Sequence, residues 1–245
     1  MSYSVQLYSL RTHLEADLEG TLARVAEIGY TRVEPYSIVA DAGRLRAALQ
    51  ANGLAAPSAH APLLSEDQEA IFTAAADLGI GTVICPSTPA EQWRQGGGIE
   101  AIAESLNAAA QRGAEYGIRV GYHNHWWEFP DVSGRSGMEY LASQLAPEVV
   151  LEIDTYWAAV AGIDPIALIT SLGDRVRFLH LKDGPITTVN TEQVALGAGQ
   201  MPVQQILAAA DHLEVGVVEL DDHDGDMFAA VDESLRYLNR LEQGT

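Results

Sequence analysis

The chain has 245 residues, of which 47% are hydrophobic and 20% are charged. This is the composition of an ordinary globular protein with one large domain or two small ones, and it excludes a largely disordered chain. The net charge of −20, from 34 acidic and 14 basic residues, disfavours nucleic acid as a partner, because Lys and Arg supply most of the binding to phosphate.

Strand-like and helix-like segments alternate along the chain. The first half contains four pairs: a strand over 4–10 with a helix over 18–29, 32–37 with 42–53, 56–63 with 66–79, and 82–87 with 98–117. The second half contains four more: 119–125 with 137–145, 149–157 with 164–173, 177–184 with 202–212, and 216–222 with 228–243. The sequence therefore predicts eight consecutive strand–helix units.

Eight such units of about 30 residues each are what a closed parallel barrel requires. No linker rich in Pro, Gly or Ser divides them, so we predict a single-domain (β/α)8 TIM barrel over 1–245. The competing architecture is an open doubly wound sheet, which usually has fewer strands and binds its ligand at a Gly-rich turn. No such turn follows the first strand. The nearest Gly-rich sequence, GAGQ at 197–200, suits a substrate-facing turn and a plain connector equally well.

No segment suggests a membrane or a secretory route. The apolar runs are too short to span a bilayer. The first ten residues, MSYSVQLYSL, lack the basic start and long apolar centre of a secretory signal, which favours a cytoplasmic location. The single cysteine, Cys85, lies in the apolar run TVICPS, where a buried, unreactive thiol is expected.

Ligand-type side chains stand at the ends of the last four predicted strands. Residues at the carboxyl ends of parallel barrel strands converge on one mouth of the barrel. The residues are Glu128 just past the fifth strand, Asp154 in LEIDTYW, His180 in RFLHLKD and Glu219 in VVELDD. Three carboxylates and one imidazole suit Mn²⁺, Co²⁺, Mg²⁺ or Zn²⁺ and leave coordination positions open for a substrate. Each residue by itself could equally be a structural hydrogen-bonding group.

Further candidates for substrate binding lie at the same mouth. In GYHNHWWEF, at 121–129, an extended chain would point both histidines to one face. The alternative is that these histidines are core residues and that the tryptophans are loop packing. The candidates are Glu34 and His60 at the ends of the second and third strands, His123, His125, Trp126, and Lys182 two residues after His180.

These motifs resemble the xylose isomerase-like family of sugar phosphate isomerases and epimerases, within the endonuclease IV-like superfamily. The resemblance covers nearly the whole chain. It is carried by VQLYSLR at 5–11, AEIGYTRVEPY at 26–36, SAHAPL at 58–63, YHNHWWEF at 122–129, LEIDTYWA at 151–158, FLHLKDG at 178–184 and VVELD at 217–221. It implies a divalent metal ion held by Glu128, Asp154, His180 and Glu219, with a polyhydroxy carbonyl compound bound over it.

One departure from the family pattern concerns the fifth strand. Many relatives carry a Glu directly on this strand, where the present chain has His123. Glu128 is therefore assigned as a metal ligand only through the HNHxxEF pattern, and His123 or His125 remains an alternative to it.

The resemblance implies an enzyme that isomerises or epimerises a sugar, sugar phosphate or related polyol through a metal-stabilised enediolate. Glu128 and Glu219 would be base and acid on opposite faces of the substrate, and Lys182 would neutralise charge beside the metal. One alternative is an inosose-type dehydratase, which expels a β-hydroxyl from the same enolate; another is a non-catalytic sugar-binding barrel. An endonuclease IV-like DNA repair enzyme is disfavoured by the charge of −20. The expected partner is a small sugar or polyol, and assembly into a homo-oligomer is compatible with the sequence.

Overall fold

The computed structural model describes residues 2–244. The strands, in chain order, are β1 (Tyr3–Gln6), β2 (Val33–Glu34), β3 (Ser58–His60), β4 (Thr82–Cys85), β5 (Arg119–His123), β6 (Asp131–Val132), β7 (Arg135–Ser136), β8 (Val150–Asp154), β9 (Val176–Leu181) and β10 (Val215–Val218). The α-helices are α1 (Arg11–Ala16), α2 (Leu18–Ile28), α3 (Ala42–Ala51), α4 (Gln68–Leu78), α5 (Gly98–Glu115), α6 (Gly137–Gln144), α7 (Thr155–Val160), α8 (Pro165–Leu172), α9 (Val203–Ala209) and α10 (Met227–Gln243). Short 3-10 helices lie at Leu7–Leu10, Gln92–Arg94, Gly173–Arg175 and Asn190–Glu192. None of the helices within 2–244 is long and apolar enough to cross a membrane.

Eight of these strands form one sheet in the order β2-β1-β10-β9-β8-β5-β4-β3, whereas β6 and β7 form a separate hairpin. Every neighbouring pair in this order is joined by a parallel ladder. The first and last strands, β2 and β3, meet through isolated parallel bridges at Arg32–Ala55 and Tyr36–His60. The sheet thus closes into a barrel, which confirms the predicted (β/α)8 fold.

The junction between β2 and β3, termed the seam, is the weakest part of this ring. Its backbone hydrogen bonds run from Val33 N to Ala55 O at 2.9 Å, from Ala55 N to Thr31 O at 3.0 Å and from His60 N to Pro35 O at 2.9 Å. Pro35 has no N–H to donate to a ladder and directly follows β2. Strands of the predicted lengths over 32–37 and 56–63 are therefore not formed; β2 and β3 have two and three residues and meet only at isolated bridges.

The inside of the barrel is apolar at one end and polar at the other. Ile84, Val150, Phe178, Val215 and Val217 form a small buried cluster, separate from the larger core between strands and helices. Side chains alternate between the two faces of a strand, so in β8 the residues at 152 and 154 share the inward face with 150. The polar residues that follow toward the carboxyl ends of the strands therefore lie directly above this apolar cluster.

Two strands end earlier than predicted because the side chain of their last residue caps a helix. Gln6 Oε1 accepts a hydrogen bond from Tyr8 N at 3.0 Å, and the chain continues as a 3-10 turn. Asp154 Oδ1 accepts one from Trp157 N at 2.8 Å, and α7 begins at Thr155. An Asp is a favoured residue at this position. One oxygen of the Asp154 carboxylate is thus used by the fold, and Oδ2 is left for other contacts.

Candidate functional site

A cavity of about 690 Å³ opens at the carboxyl ends of the barrel strands. Its buried polar lining residues are His60, His123 and Glu219, which are 8%, 2% and 5% exposed. Its walls contain a set of aromatic side chains, namely Tyr8, Tyr36, Trp126, Trp127 and Trp157. A concave pocket with polar groups at its base and apolar walls is the usual form of a small-molecule site.

Four side chains from four neighbouring strands meet at the base of this cavity, where His123 and Glu219 line it and the fully buried Asp154 and His180 lie behind them. His123 ends β5, Asp154 ends β8, His180 lies in β9 and Glu219 directly follows β10. One ligand atom of each lies within 4.8 Å of those of the other three, and all four residues are buried. His180 Nδ1 is 2.6 Å from Glu219 Oε2, and His123 Nε2 is 3.8 Å from Asp154 Oδ2. These four residues are termed the upper group.

A second set of polar residues lies against the same two histidines from below. Glu34, His60 and Glu152, termed the lower group, are all buried. Glu152 Oε2 is 2.6 Å from His60 Nε2 and 3.1 Å from both His123 Nδ1 and His180 Nε2. Glu34 Oε1 is 2.8 Å from His180 Nε2. The lower group therefore contacts His123 Nδ1 and His180 Nε2, whereas Asp154 and Glu219 face the other nitrogen of each ring.

The two histidines of the upper group thus connect the two layers. His123 directs Nε2 toward Asp154 and Nδ1 toward Glu152, while His180 directs Nδ1 toward Glu219 and Nε2 toward Glu34 and Glu152. A histidine that binds a metal usually donates its other ring N–H to a carboxylate, which fixes its tautomer and ring orientation. The lower carboxylates are placed to do this for both rings.

Lys182 lies beside the upper group and is 1% exposed. Its Nζ is 2.9 Å from Asp154 Oδ2, 2.8 Å from Glu219 Oε2 and 2.7 Å from Asp221 Oδ2. Burial disfavours the ammonium, but the three carboxylates outweigh it and hold the pKa of Lys182 well above its usual value. Lys182 is therefore a fixed positive charge.

The carboxylates of the site outnumber its basic groups, namely Lys182 and the rings of His60 and His180, whose pKa values the carboxylates raise against the effect of burial. Five carboxylates lie in the site, namely those of Glu34, Glu152, Asp154, Glu219 and Asp221. Buried carboxylates are costly unless they are paired. Glu152 Oε1 and Asp154 Oδ2 are buried and, within the described part of the chain, accept no hydrogen bond, although Lys182 forms an ion pair with the second. Imidazole nitrogens and carboxylate oxygens are common ligands of divalent metals. The residues present therefore fit a divalent metal ion.

The protonation states of the upper group follow from the same contacts. Burial disfavours a charged imidazole, but Glu152 and Glu219 outweigh it and hold the pKa of His180 well above its usual value. Burial also disfavours a carboxylate, yet Lys182 and His180 hold the pKa of Glu219 well below its usual value. Burial and the neighbouring His180 push the pKa of His123 well below its usual value. An ionised Glu219 and a neutral His123 thus face the same cavity.

Residues 22–241 match the sequence profile of xylose isomerase-like TIM barrels. The chain belongs to the xylose isomerase-like TIM barrel family. This confirms the resemblance inferred from the sequence motifs. No curated protein matches the chain in sequence.

Solved structures with the fold of this family superpose over nearly the whole chain. A sugar phosphate isomerase/epimerase from Parabacteroides distasonis is 24% identical, with 97% of this chain and 93% of that chain covered and a TM-score of 0.81. The probable 3-DHS dehydratase AsbF from Bacillus anthracis is 15% identical over 98% and 99% of the chains, with a TM-score of 0.77. The IOLI protein, solved with a bound zinc atom, is 14% identical over 97% and 96%, with a TM-score of 0.73. At these identities the likeness shows the shared fold.

The structure does not bring Glu128 to the residues that were predicted to bind a metal with it. In this member of the family β5 ends at His123, and the following turn folds Glu128 back under the loop. Glu128 is fully buried, accepts hydrogen bonds from Tyr122 Oη at 3.2 Å and His125 N at 3.0 Å, and does not line the cavity. Burial raises the pKa of its carboxyl group. Of the two alternatives, His123 takes the fifth-strand place in the upper group.

The remaining predicted residues lie in or next to the site. Glu34 and His60 are in the lower group, and His60 also lines the cavity. His125 and Trp126 line the cavity wall on the side of β5. Lys182 lies beneath, among the carboxylates. Of these five, only His60, His125 and Trp126 can meet a molecule in the cavity without first displacing another side chain.

Sequence reasoning missed Glu152 and Asp221. Both were read as parts of strand motifs, in LEID and ELDD, without a role of their own. Each lies two residues from a predicted ligand, Asp154 or Glu219, and residues two apart in an extended segment point to the same side. The alternation of side chains along a strand was the signal that could have identified them.

Replacing Glu152 by Gln should weaken metal binding by about 10- to 100-fold, because the two histidines lose the carboxylate that orients them. The measurement is a titration with Zn²⁺ or Co²⁺ in competition with a chromophoric chelator, alongside circular dichroism to confirm that the barrel remains folded. Glu148→Gln, a change at an exposed residue just before β8, is the matched control. An unchanged metal affinity in Glu152→Gln would show that the lower group plays no part in holding the ligands.

Proposed function

We propose that this protein is a divalent-metal-dependent isomerase or epimerase that acts on a sugar, sugar phosphate or related polyol. The observation that carries the proposal is the upper group, in which two imidazoles and two carboxylates converge from four neighbouring strands at the base of the cavity. Family membership supports it, since a structural neighbour is described as a sugar phosphate isomerase/epimerase.

His123, Asp154, His180 and Glu219 are the residues that would hold the metal ion. Two nitrogen and two oxygen donors suit Zn²⁺, Co²⁺ or Mn²⁺ better than Mg²⁺, which prefers oxygen ligands. The bound zinc atom of the IOLI protein supports this choice. A bound ion would polarise a substrate carbonyl and offset the negative charge that develops on its oxygen.

Glu219 is the residue best placed to remove a proton from the substrate. Its carboxylate faces the cavity and is kept ionised by Lys182 and His180. A carboxylate in contact with the α carbon can accept its proton and return it to the same or a neighbouring carbon. When the proton passes to Glu219, the carboxylate becomes neutral and the substrate gains a negative charge, which the nearby Lys182 ammonium would help to offset.

A second proton-transfer group is needed on another side of the substrate if a stereocentre is to be inverted. Glu128, to which sequence reasoning gave this role, is too deeply buried to reach the cavity. His125 lines the cavity, and its Nδ1 is buried 3.8 Å from Glu128 Oε1, which leaves Nε2 as the ring nitrogen for a substrate. It extends from β5, three places around the barrel from β10, the strand that Glu219 follows. We assign His125 as this second group.

The test is incubation of Zn²⁺- or Co²⁺-loaded protein with ketoses, keto-inositols and their phosphates in D₂O, followed by NMR. We expect deuterium at the carbon next to the carbonyl group, because removal of the α proton precedes either isomerisation or epimerisation. Absence of exchange with every compound, at full metal occupancy, would favour a non-catalytic sugar-binding protein. A conjugated ultraviolet chromophore in the product would instead show a dehydratase, the activity described for the Bacillus anthracis neighbour.

A further inference from the structure

The charged groups of the cavity identify the kind of sugar that it suits. Its lining contains four carboxylates, those of Glu66, Glu219, Asp221 and Asp222, against one guanidinium, that of Arg11, among the described residues. Arg11 Nη1 donates to the backbone oxygens of Tyr8 at 3.0 Å and Asp221 at 2.7 Å. Its guanidinium also lies 4.4 Å from the centre of the Tyr8 ring. Arg11 is therefore engaged in holding the rim together. Glu219 and Asp221 are paired with the buried Lys182, and Glu66 and Asp222 outnumber Arg11, so the lining as a whole repels anions.

The loop that binds phosphate in many barrels is closed in this chain. Such sites are frequently formed by the loops after the seventh and eighth strands, whose backbone N–H groups surround the anion. Here the N–H groups of Gly184, Gly197, Gly199 and Met201 all donate to the carboxylate of Asp183, at 2.8, 2.8, 3.1 and 2.9 Å. Asp183 is fully buried. These four N–H groups are thus taken up by the chain's own carboxylate and are not free to bind a phosphate group.

The Gly-rich sequence GAGQ at 197–200 therefore encloses the side chain of Asp183. A Cβ atom at Gly199 would come within 2.2 Å of Asp183 Oδ1 and 2.3 Å of Gly184 N, so only glycine fits there. Residues 197–201 do not line the cavity. The segment 197–201, whose role the sequence left open, therefore supplies no hydrogen-bond donor to a substrate.

The aromatic walls, by contrast, suit the uncharged face of a sugar ring. Tyr8 follows β1 and Trp126 follows β5, and these strands lie four places apart in the ring of eight, on opposite sides of the mouth. The two side chains are 40% and 41% exposed, whereas Trp157 in the same lining is 4% exposed. Each packs edge-on against a second aromatic residue, Tyr36 at 5.4 Å and Trp127 at 5.7 Å between ring centres. Exposed apolar surface with a polar rim is typical of a ligand-binding groove.

The size of the cavity indicates more than one sugar ring. Its volume of about 690 Å³ lies in the upper half of the range of roughly 300–1,000 Å³ found for small-molecule pockets. A ring held over the upper group would leave the outer aromatic side chains uncovered. We infer that the substrate is an uncharged sugar joined to a second ring, as in a disaccharide or glycoside, and that a sugar phosphate is not the substrate. This inference rests on the proposed function only for the position of the reacting ring.

The test is isothermal titration calorimetry of the zinc-loaded protein with three probes: lactulose, D-fructose and D-fructose 6-phosphate. At low ionic strength we expect lactulose to bind about 3- to 10-fold more tightly than D-fructose, because its second ring contacts Trp126, the larger of the two exposed aromatic side chains. D-fructose 6-phosphate should bind at least about tenfold more weakly than D-fructose. Its affinity should approach that of D-fructose as added salt screens the carboxylates. Equal or tighter binding of the phosphate would overturn the exclusion of phosphates. If lactulose binds no more tightly than D-fructose, or does not bind, the inference that the substrate has a second ring is wrong.

Variants separate the aromatic contact from a general effect on the fold. Trp126→Ala should abolish the preference for lactulose over D-fructose. Val39→Ala, which removes a side chain that is 42% exposed but outside the cavity, should keep it. A retained preference in Trp126→Ala would contradict the proposed position of the second ring. Because calorimetry measures binding without turnover, this ranking stands or falls independently of the proton exchange that tests the proposed function.

Discussion

Replacing Asp154 by Asn should remove the proposed metal ion and the proposed isomerase activity together. Asn has the same shape and keeps the oxygen that accepts the hydrogen bond from Trp157 N at 2.8 Å, so the start of α7 is preserved. It replaces Oδ2, which points toward the upper group, by an amide nitrogen that cannot bind a cation. We expect metal affinity to fall by more than about 100-fold, which exceeds the loss typical for a residue that only hydrogen-bonds to a metal ligand. Proton exchange should fall with it.

The measurement is metal content by mass spectrometry after gel filtration, together with deuterium exchange of the substrate in D₂O. Asp164→Asn is a matched control, because Asp164 also caps a helix, with Oδ1 accepting from Ile166 N at 2.9 Å, but lies outside the site. Full metal occupancy and normal turnover in Asp154→Asn would show that Asp154 is a helix cap and not a metal ligand.

Replacing Glu219 by Gln should lower proton exchange at the α carbon by about 10²- to 10⁴-fold at saturating metal, the usual loss when a positioned base is removed. Gln keeps the size of Glu and one oxygen that can face the metal, so part of the metal affinity should remain. The measurement is the exchange rate per bound metal ion, which separates loss of the base from loss of the ion.

Glu128→Gln provides the contrast. Its carboxylate is enclosed by Tyr122 and His125 N and is away from the cavity, so exchange per bound metal ion should stay close to the wild-type rate even if the loop is destabilised. Wild-type exchange in Glu219→Gln would remove Glu219 from the proton transfer. A loss in Glu128→Gln as large as that in Glu219→Gln would restore Glu128 to the role predicted from the sequence.

The fold could be predicted because each strand–helix unit has its own pattern of apolar residues in a short stretch of sequence. The alternation of strand and helix patterns is strong enough to give eight units, and the absence of a linker joins them into one barrel. The strand lengths at the seam could not be predicted in the same way. Pro35 ends β2 after two residues, because a residue without N–H cannot continue a ladder, whereas the apolar pattern alone suggested a longer strand.

The site was predicted in part for a similar reason. The position of Asp154, His180 and Glu219 at strand ends was enough to bring them together. Glu128 was assigned through a family pattern that carries no information on where the chain turns, and the turn after His123 takes it away. Glu152 was missed although it shares a strand face with Asp154, because the apolar residues around it suggested a core position. Which groups meet across a barrel depends on register, and register is set by pairing between distant segments.

The seam gives Glu34 a mechanical role in addition to its electrostatic one. Three backbone hydrogen bonds join β2 to β3, but the Glu34 carboxylate also bridges the two sides from within, through Ser58 Oγ on β3 and through His60 Nε2 at 3.3 Å. It is tied to the preceding strand as well, because Gln6 Nε2 donates to it at 2.9 Å. The side chains that contact the proposed metal ligands thus also cross-link a barrel whose backbone is closed by few hydrogen bonds. A slower reaction in a Glu34 variant would therefore report loosening of the cylinder wall, visible as faster amide exchange at residues 33, 55 and 60, as much as a lost contact with the substrate.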